Sequence, residues 1–215
     1  PCTVLPCPAM GLHLVEHPLL HDIMARLRDR ETSSDDFRSL AYRISTFLVA
    51  EATRDLPTRA CEVRTPLETT TVYRLDARVV VVPVLRAGIG MLQAFLDLVP
   101  KAQVGYFGLE RDEETAEARC YYEKVPKDLG SAVVFVIDPM LATGGSAAKA
   151  IEGLEARGAT NVRLVSIVAA PEGVGLLAER TPDTLVFTAA LDRGLSDRKF
   201  ILPGLGDFGD RLYGT

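Results

Sequence analysis

The sequence predicts an α/β fold built on a doubly wound parallel sheet. Residues 78–85, 132–137 and 162–169 are short, almost continuous apolar runs, the pattern of strands buried on both faces. Segments of helical period lie between them, so strand and helix alternate along the chain. Glycine-bearing turns, Arg86-Ala87-Gly88 and Asp138 to Gly145, follow two of the runs, at the strand ends where such sheets place their ligands.

Residues 1–14 carry little pattern and are expected to form an extended arm. From His17 to Arg30 the chain reads as a helix, with Pro18 suited to its first turn. Ser33-Ser34-Asp35-Asp36 supplies a capping-box-like start to a second helix. Phe37, Leu40, Ala41, Ile44, Phe47 and Leu48 keep helical spacing to about Asp55, and Leu56-Pro57 ends the helix. Alternation across 61–75, with a turn at Pro66 to Glu68, predicts a β-hairpin arm suited to subunit contacts. A strand at Arg78 to Leu85 precedes a helix to about Val99, and Val104 to Leu109 is a further strand. Arg111 to Lys127 is polar and reads as a long functional loop. The strand Ala132–Ile137 leads into a helix from Gly145 to Arg157, ended by Gly158. A strand at Val162 to Ala169, a helix at Glu172 to Arg180 and a strand at Thr184 to Ala189 complete the alternation. In the last stretch, Phe200 to Arg211, Gly204, Gly206 and Gly209 argue against a plain helix or strand. The whole of 1–215 is expected to be a single domain.

Composition sets limits. The chain has 215 residues, 47% hydrophobic and 25% charged, enough for a full core. A net charge of -5 argues against general nucleic-acid binding. A polyanionic ligand must therefore be held by local amides, a few arginines and a metal. The apolar runs are strand-sized, and the first residues lack the marks of a signal peptide, so a cytoplasmic protein is expected. Cys2, Cys7, Cys61 and Cys120 form no C-x-x-C pair, which leaves free thiols as the expectation. His17 and His21 are four apart but lack the zincin glutamate, so a packed or solvated face is expected there; His13 has no evident partner.

The richest stretch is Asp138-Pro139-Met140-Leu141-Ala142-Thr143-Gly144-Gly145-Ser146. Its glycines let backbone approach a ligand, and its amides and the following helix N-terminus suit an anion. Asp138 would repel phosphate but accepts hydrogen bonds from ribose hydroxyls. The stretch thus suits a ligand with both sugar and phosphate. It is neither a P-loop, since no Gly-Lys-Ser/Thr follows, nor a G-x-G-x-x-G dinucleotide fingerprint.

This stretch resembles the phosphoribosyl diphosphate (PRPP) loop of type I phosphoribosyltransferases, with Ile137 where most members carry a first acid. Leu-Arg-Ala-Gly, Arg-Asp-Glu-Glu-Thr, the nine-residue loop, Ala-Ala-Pro-Glu-Gly and Ile-Leu-Pro-Gly-Leu-Gly-Asp stand in the order and spacing of one branch, the uracil phosphoribosyltransferases. The resemblance covers all but roughly the first dozen residues. It implies a type I phosphoribosyltransferase-like sheet with a β-hairpin arm, a mobile hood loop and a C-terminal base-binding segment. It further implies transfer of the phosphoribosyl group of PRPP to N1 of uracil, giving UMP and pyrophosphate.

By the resemblance, Arg86, Ala87 and Gly88 hold the pyrophosphate, at a turn where the family often carries a non-proline cis peptide. Arg111 reaches the pyrophosphate from the hood. Asp138 binds the ribose, and Ala142 to Ser146 cradle the 5′-phosphate, with Pro139, Met140 and Leu141 completing the PRPP loop. Ile201, Gly206 and Phe208 read uracil through backbone groups, and Asp207 contacts PRPP through Mg²⁺ or its waters. Arg86, Arg111, Asp138 and Asp207 are the implied catalytic set, with Mg²⁺ the implied cofactor, held mainly by PRPP and water. The family is dimeric or larger, and some members are activated by GTP. Three departures stand out: Phe208 where the family has Ala, Phe200 where it has Tyr, and Ala118-Arg119-Cys120 where the hood usually has prolines. Phe208 leaves two other functions open: a PRPP- or uridine-phosphate-binding protein without turnover, and a phosphoribosyltransferase for another pyrimidine.

Overall fold

The computed structural model describes residues 11–111 and 118–215, the side chains at 110, 111, 118 and 119 excepted. In chain order the elements are β1 (Leu12–Leu14), α1 (Pro18–Arg28), α2 (Ser34–Ala52), β2 (Thr58–Arg64), β3 (Thr69–Leu75), β4 (Arg78–Leu85) and α3 (Ile89–Leu98). Next come β5 (Gln103–Val104), β6 (Tyr106–Arg111), β7 (Ala118–Lys124), β8 (Ala132–Ile137), β9 (Met140–Leu141), α4 (Gly145–Glu155) and β10 (Asn161–Ala169). The chain closes with α5 (Pro171–Arg180), β11 (Leu185–Leu191), β12 (Gly194–Leu195), β13 (Ile201–Leu202) and α6 (Phe208–Tyr213).

The central sheet runs β1-β11-β10-β8-β4-β6-β7, with β5 beside β4 and β9 beside β10. Every described pairing in it is parallel except β6 with β7. Successive strand residues face opposite sides, so each strand feeds two cores. Val79, Val81, Phe135, Ile137, Val165 and Ile167 pack under α1, α2, α3 and α6. Val80, Val82, Val134, Val136 and Leu164 pack under α4 and α5. Helices on both faces and a parallel centre make the doubly wound architecture that the alternating pattern predicts.

Local signals fix several element ends. His17 caps α1, its Nδ1 accepting from the Leu19 amide (3.1 Å), and Pro18 opens the helix. Ser33 caps α2, its Oγ accepting from the Asp36 amide (3.4 Å). Gly158, at φ 89°, ends the turn after α4. The hairpin β2–β3 stands as its own antiparallel pair, and Leu67 at its tip is 95% exposed.

Three expectations are corrected and a fourth is filled in. The first arm is not wholly free, because Leu12–Leu14 joins the sheet beside β11; residues 1–10 lie outside the described residues. Helix α2 stops at Ala52, short of Asp55. The polar stretch after Arg111 is not all loop: Ala118–Lys124 is a strand antiparallel to β6, and 112–117 lie outside the described residues. Residues 120–122 of that strand, which face both sides, are exposed, and an exposed strand shows no apolar alternation, which is why its sequence looks like a loop. The glycine-rich end contains a two-residue strand, β13, and a six-residue helix, α6.

The early stop of α2 has a cause across the sheet. Arg163, in β10 and 4% exposed, donates from Nη1 to the Ala52 carbonyl (2.7 Å). Its guanidinium also forks onto Asp55 Oδ1 and Oδ2 (2.5 and 3.0 Å) and lies 5.6 Å from the Phe135 ring centroid. It thus takes up a helix-end carbonyl that would otherwise be buried without a partner. Replacing it with alanine opens a cavity and strands that carbonyl. We expect Arg163→Ala to cost about 3 kcal/mol in a denaturant titration; a loss under about 1 kcal/mol would refute this role.

Candidate active site

Ligands of an open parallel sheet bind beyond the carboxyl ends of its strands, where the winding direction reverses. Here β4 lies between β5 and β6, which follow it along the chain, on one side and β8 on the other. The switch point therefore falls between the ends of β4 and β8, at Arg86 and Asp138.

The segment after β8 is held by its backbone. Asp138 donates its amide to Val165 O (3.1 Å), and Pro139 O accepts from Ile167 and Val168 (3.0 and 3.1 Å). Ser166, fully buried, donates from Oγ to Asp138 O (2.7 Å) and accepts from the Leu141 amide (3.1 Å). One hydroxyl so pins both sides of the turn that carries the acid. Beyond it, Met140–Leu141 runs beside β10 as β9. Gly144 sits at φ 82° just before α4, and a Cβ there would meet Gly173 O at 2.8 Å. Gly173 lies in the first turn of α5, so the loop interlocks with the Ala169-Ala170-Pro171-Glu172-Gly173 motif. Helix α4 has no side-chain N-cap, leaving its first amides for loop or ligand. Asp138, Met140, Leu141, Ala142, Thr143, Gly144, Gly145 and Ser146 line a pocket of ≈ 120 Å³. The structure so brings the predicted loop together around one small cavity.

Asp138 is half-buried at the head of this pocket. Burial pushes its carboxyl up to about 7, against the opposing pull of the Met140 amide.

The turn after β4 places Arg86 at the surface and begins with a cis Leu85–Arg86 peptide, the feature that the family resemblance implies. Gly88 donates to Val84 O (2.9 Å), and a Cβ on it would lie 2.4 Å from Ile137 O. That contact joins the ends of β4 and β8. Arg111 ends β6, and its side chain, like the rest of the expected hood from 112 to 117, lies outside the described residues.

The C-terminal segment turns through a cis Leu202–Pro203 peptide. Ile201 and Phe208 point inward, 4% and 2% exposed, while Gly206 and Asp207 are exposed. The Phe208 ring meets Phe37 edge-on at 5.1 Å and packs beside Leu212 against α3 at Gly90. So the ring in place of the family's usual Ala fills the core and leaves the surface side to backbone. Phe200, in place of the usual Tyr, is 49% exposed. Asp207 caps α6, Oδ1 accepting from the Asp210 amide (2.9 Å). Tyr213 donates to Arg86 O (3.4 Å), bringing this segment beside the β4 turn.

Sequence reasoning missed Ser166, whose partners lie 25 and 28 residues away, and no local signal marks it. It also missed Glu172, whose Oε1 accepts from the Leu195 amide (3.0 Å) and ties α5 to β12. His13 stacks on Phe187 at 4.7 Å, and His17 lies 4.9 Å from Phe47. Among the described residues no three His, Cys, Asp or Glu side chains gather as a protein-held metal would need.

Raising an acid's folded pKa above its unfolded value makes the folded state hold the proton more tightly. Stability then falls as pH rises from about 4 to about 7, and the deficit is complete above that. Asn keeps an oxygen for the Met140 amide and cannot ionise. Asp138→Asn should therefore melt higher than the unaltered chain at pH 8, with the gap closing towards pH 4. Equal melting at both pH values would refute the burial effect.

The family model for uracil phosphoribosyltransferase matches residues 14–215. The chain is 48% identical over 203 residues to a uracil phosphoribosyltransferase of Streptococcus equi subsp. zooepidemicus, covering 94% of this chain and 97% of that one. It is 47% identical to that of Streptococcus salivarius, with the same coverage. A solved protein from Aquifex aeolicus superimposes with a TM-score of 0.90 at 36% identity, over 95% of this chain and 98% of that one. An APRTase from Giardia lamblia, at 18% identity over 74% of this chain and 84% of that one, shares the fold with a TM-score of 0.52. With residues 14–215 matched and relatives nearly half identical over almost the whole chain, the chain belongs to the uracil phosphoribosyltransferase family.

Proposed function

We propose that the whole chain, 1–215, is one catalytic domain that transfers the 5-phosphoribosyl group of PRPP to N1 of uracil, releasing UMP and pyrophosphate. The observation that carries this reading is the placement of the Asp138–Ser146 loop, the Arg86 turn and the 201–208 segment at one carboxyl edge of the sheet. In it, Ala142 to Ser146 and the first turn of α4 cradle the 5′-phosphate. Asp138 accepts from the ribose hydroxyls. Arg86, Ala87 and Gly88 hold the pyrophosphate, and Arg111 joins them from the hood.

The bond from C1 of the ribose to the pyrophosphate oxygen breaks as the bond to N1 forms, with inversion and an oxocarbenium-like transition state. Negative charge gathers on the leaving group, and the arginines stabilise it there. The N1 proton of uracil leaves to solvent or to a bound water. Ile201, Gly206 and Phe208 present backbone groups to the acceptor, donor, acceptor edge of uracil. Amides aimed at O4 reject the amino group of cytosine, because a polar mismatch there leaves groups unpaired. With the Phe208 ring in the core, its placement gives no support to a different base or to binding without turnover.

Mg²⁺ fits this site as a substrate-borne ion, since it keeps several waters and needs only one or two carboxylates beside phosphate oxygens. Asp207, exposed next to the base segment, would meet it through water, and the ion would neutralise charge on the pyrophosphate. The projecting hairpin, with Leu67 and Tyr73 exposed, supports a homodimer or homotetramer. GTP as an activator rests on family resemblance alone. Cys61 and Cys120 are free, which suits the reducing cytoplasm. Among the described residues, no helix is long and apolar enough to cross a membrane.

The test is product formation from labelled uracil with PRPP and Mg²⁺, with cytosine in parallel. UMP from uracil and nothing from cytosine is expected; no UMP while PRPP still binds would overturn the reading. Arg86→Ala should lower kcat by about 10²–10³, and a near-unaltered rate would remove the arginine from charge stabilisation. Phe208→Leu should cost about 1–2 kcal/mol of stability and leave the preference for uracil over cytosine intact. A changed preference would put that ring in the pocket.

A further inference from the structure

Three features outside the site just described hold the 202–206 turn. Arg28, in the last turn of α1, donates from Nη1 and Nη2 to Asp192 Oδ2 and Oδ1 (2.8 and 2.7 Å). The same Nη1 donates to Gly204 O (2.7 Å), and Asp192 Oδ2 accepts from the Gly204 amide (2.8 Å). Both backbone groups of Gly204 are thus taken by a forked ion pair. Asp192 stands one residue beyond β11, fixed by its amide to Ala169 O (2.8 Å). Arg211 adds a second strut: Nη1 donates to Leu27 O and Leu205 O (2.5 and 2.8 Å), Nη2 to Asp29 O (2.5 Å), over the Phe37 ring at 4.5 Å.

We propose that Arg28 and Asp192 are positioning residues for base recognition, which set where the 201–208 backbone presents itself. This rests on the reading above, that Ile201, Gly206 and Phe208 read uracil. The bonds end on Gly204 and Leu205, two and one residues short of Gly206. They hold the turn without occupying Gly206 itself. The hydrogen bonds of the pair run to Gly204 and Ala169 and none to the Asp138–Ser146 loop, so the clamp acts on the base and leaves PRPP alone. The ion pair is well shielded, with side-chain exposures of 24% for Arg28 and 6% for Asp192. Removing one charge there takes the counter-charge from the other in a shielded site, a perturbation aimed at one turn.

Asp192→Asn keeps shape and one acceptor but loses the charge. Its expected signature is a rise in KM for uracil of about tenfold or more, with the Kd for PRPP within about twofold of the unaltered enzyme. Discrimination against cytosine should fall with it. Arg28→Lys keeps a charge but cannot fork, so it should raise uracil KM by a smaller factor, and it carries the same test if Asp192→Asn does not fold. Uracil and PRPP parameters moving together, or melting falling with uracil KM unchanged, would overturn the clamp. Gly206→Ala separates the two ideas. An unchanged uracil KM there refutes base reading by this loop. A changed KM there, with none in Asp192→Asn or Arg28→Lys, refutes the clamp alone.

Discussion

A parallel strand covered on both faces has no free surface along its length. In this chain Val79 to Val82 alternate between two cores, and Val134, Phe135, Val136 and Ile137 do the same one strand away. Every side chain in these runs is committed to packing, so polar groups are driven to the strand ends. Asp138 and Arg86 stand where they do because their strands run out there. The turns that follow, the loop that closes on α4 and the last segment that folds back beside them all depend on that burial.

At the edge so created, precision comes from neighbours and not from the ligand-facing residues themselves. Ser166 holds the first turn of the loop from β10, and Gly173 of α5 receives Gly144 with no room for a Cβ on either. Glu172, next to that glycine, reaches across to β12. One short motif, Ala169 to Gly173, therefore bears on both the phosphate loop and the C-terminal segment. The first is gripped by close approach of backbones and the second by a hydrogen bond.

Much of this was legible in the sequence, and the reasons for what was not are physical. Strands β4 and β8 fall on the residues their apolar runs mark, α1 opens at the Pro18 suited to its first turn, and α2 begins at its capping Ser33. The loop from Asp138 to Ser146 was readable because its chemistry is contiguous. Strand β7 was not, since an exposed ribbon needs no apolar period. The roles of Arg28 and Arg163 were hidden for another reason: their partners are more than a hundred residues distant, and an arginine in sequence looks like surface until its carboxylate is placed. The direction of the Phe208 ring was equally closed to inspection, because a residue at a helix start can face either way.

The two margins of the sheet are unlike its interior. Among the described residues it ends on one side in β1, only three residues long, and on the other in β7, paired antiparallel with a bulge at Gly108/Leu109 and carrying Glu123 and Lys124. A long flat margin would offer a row of unpaired amides and carbonyls to any passing strand. Brevity on one flank, and irregular, charged pairing on the other, deny that template. The same chain that concentrates its apolar strands in the middle thus shields them from adding a further strand of another molecule, which keeps a valine-rich sheet from seeding aggregation.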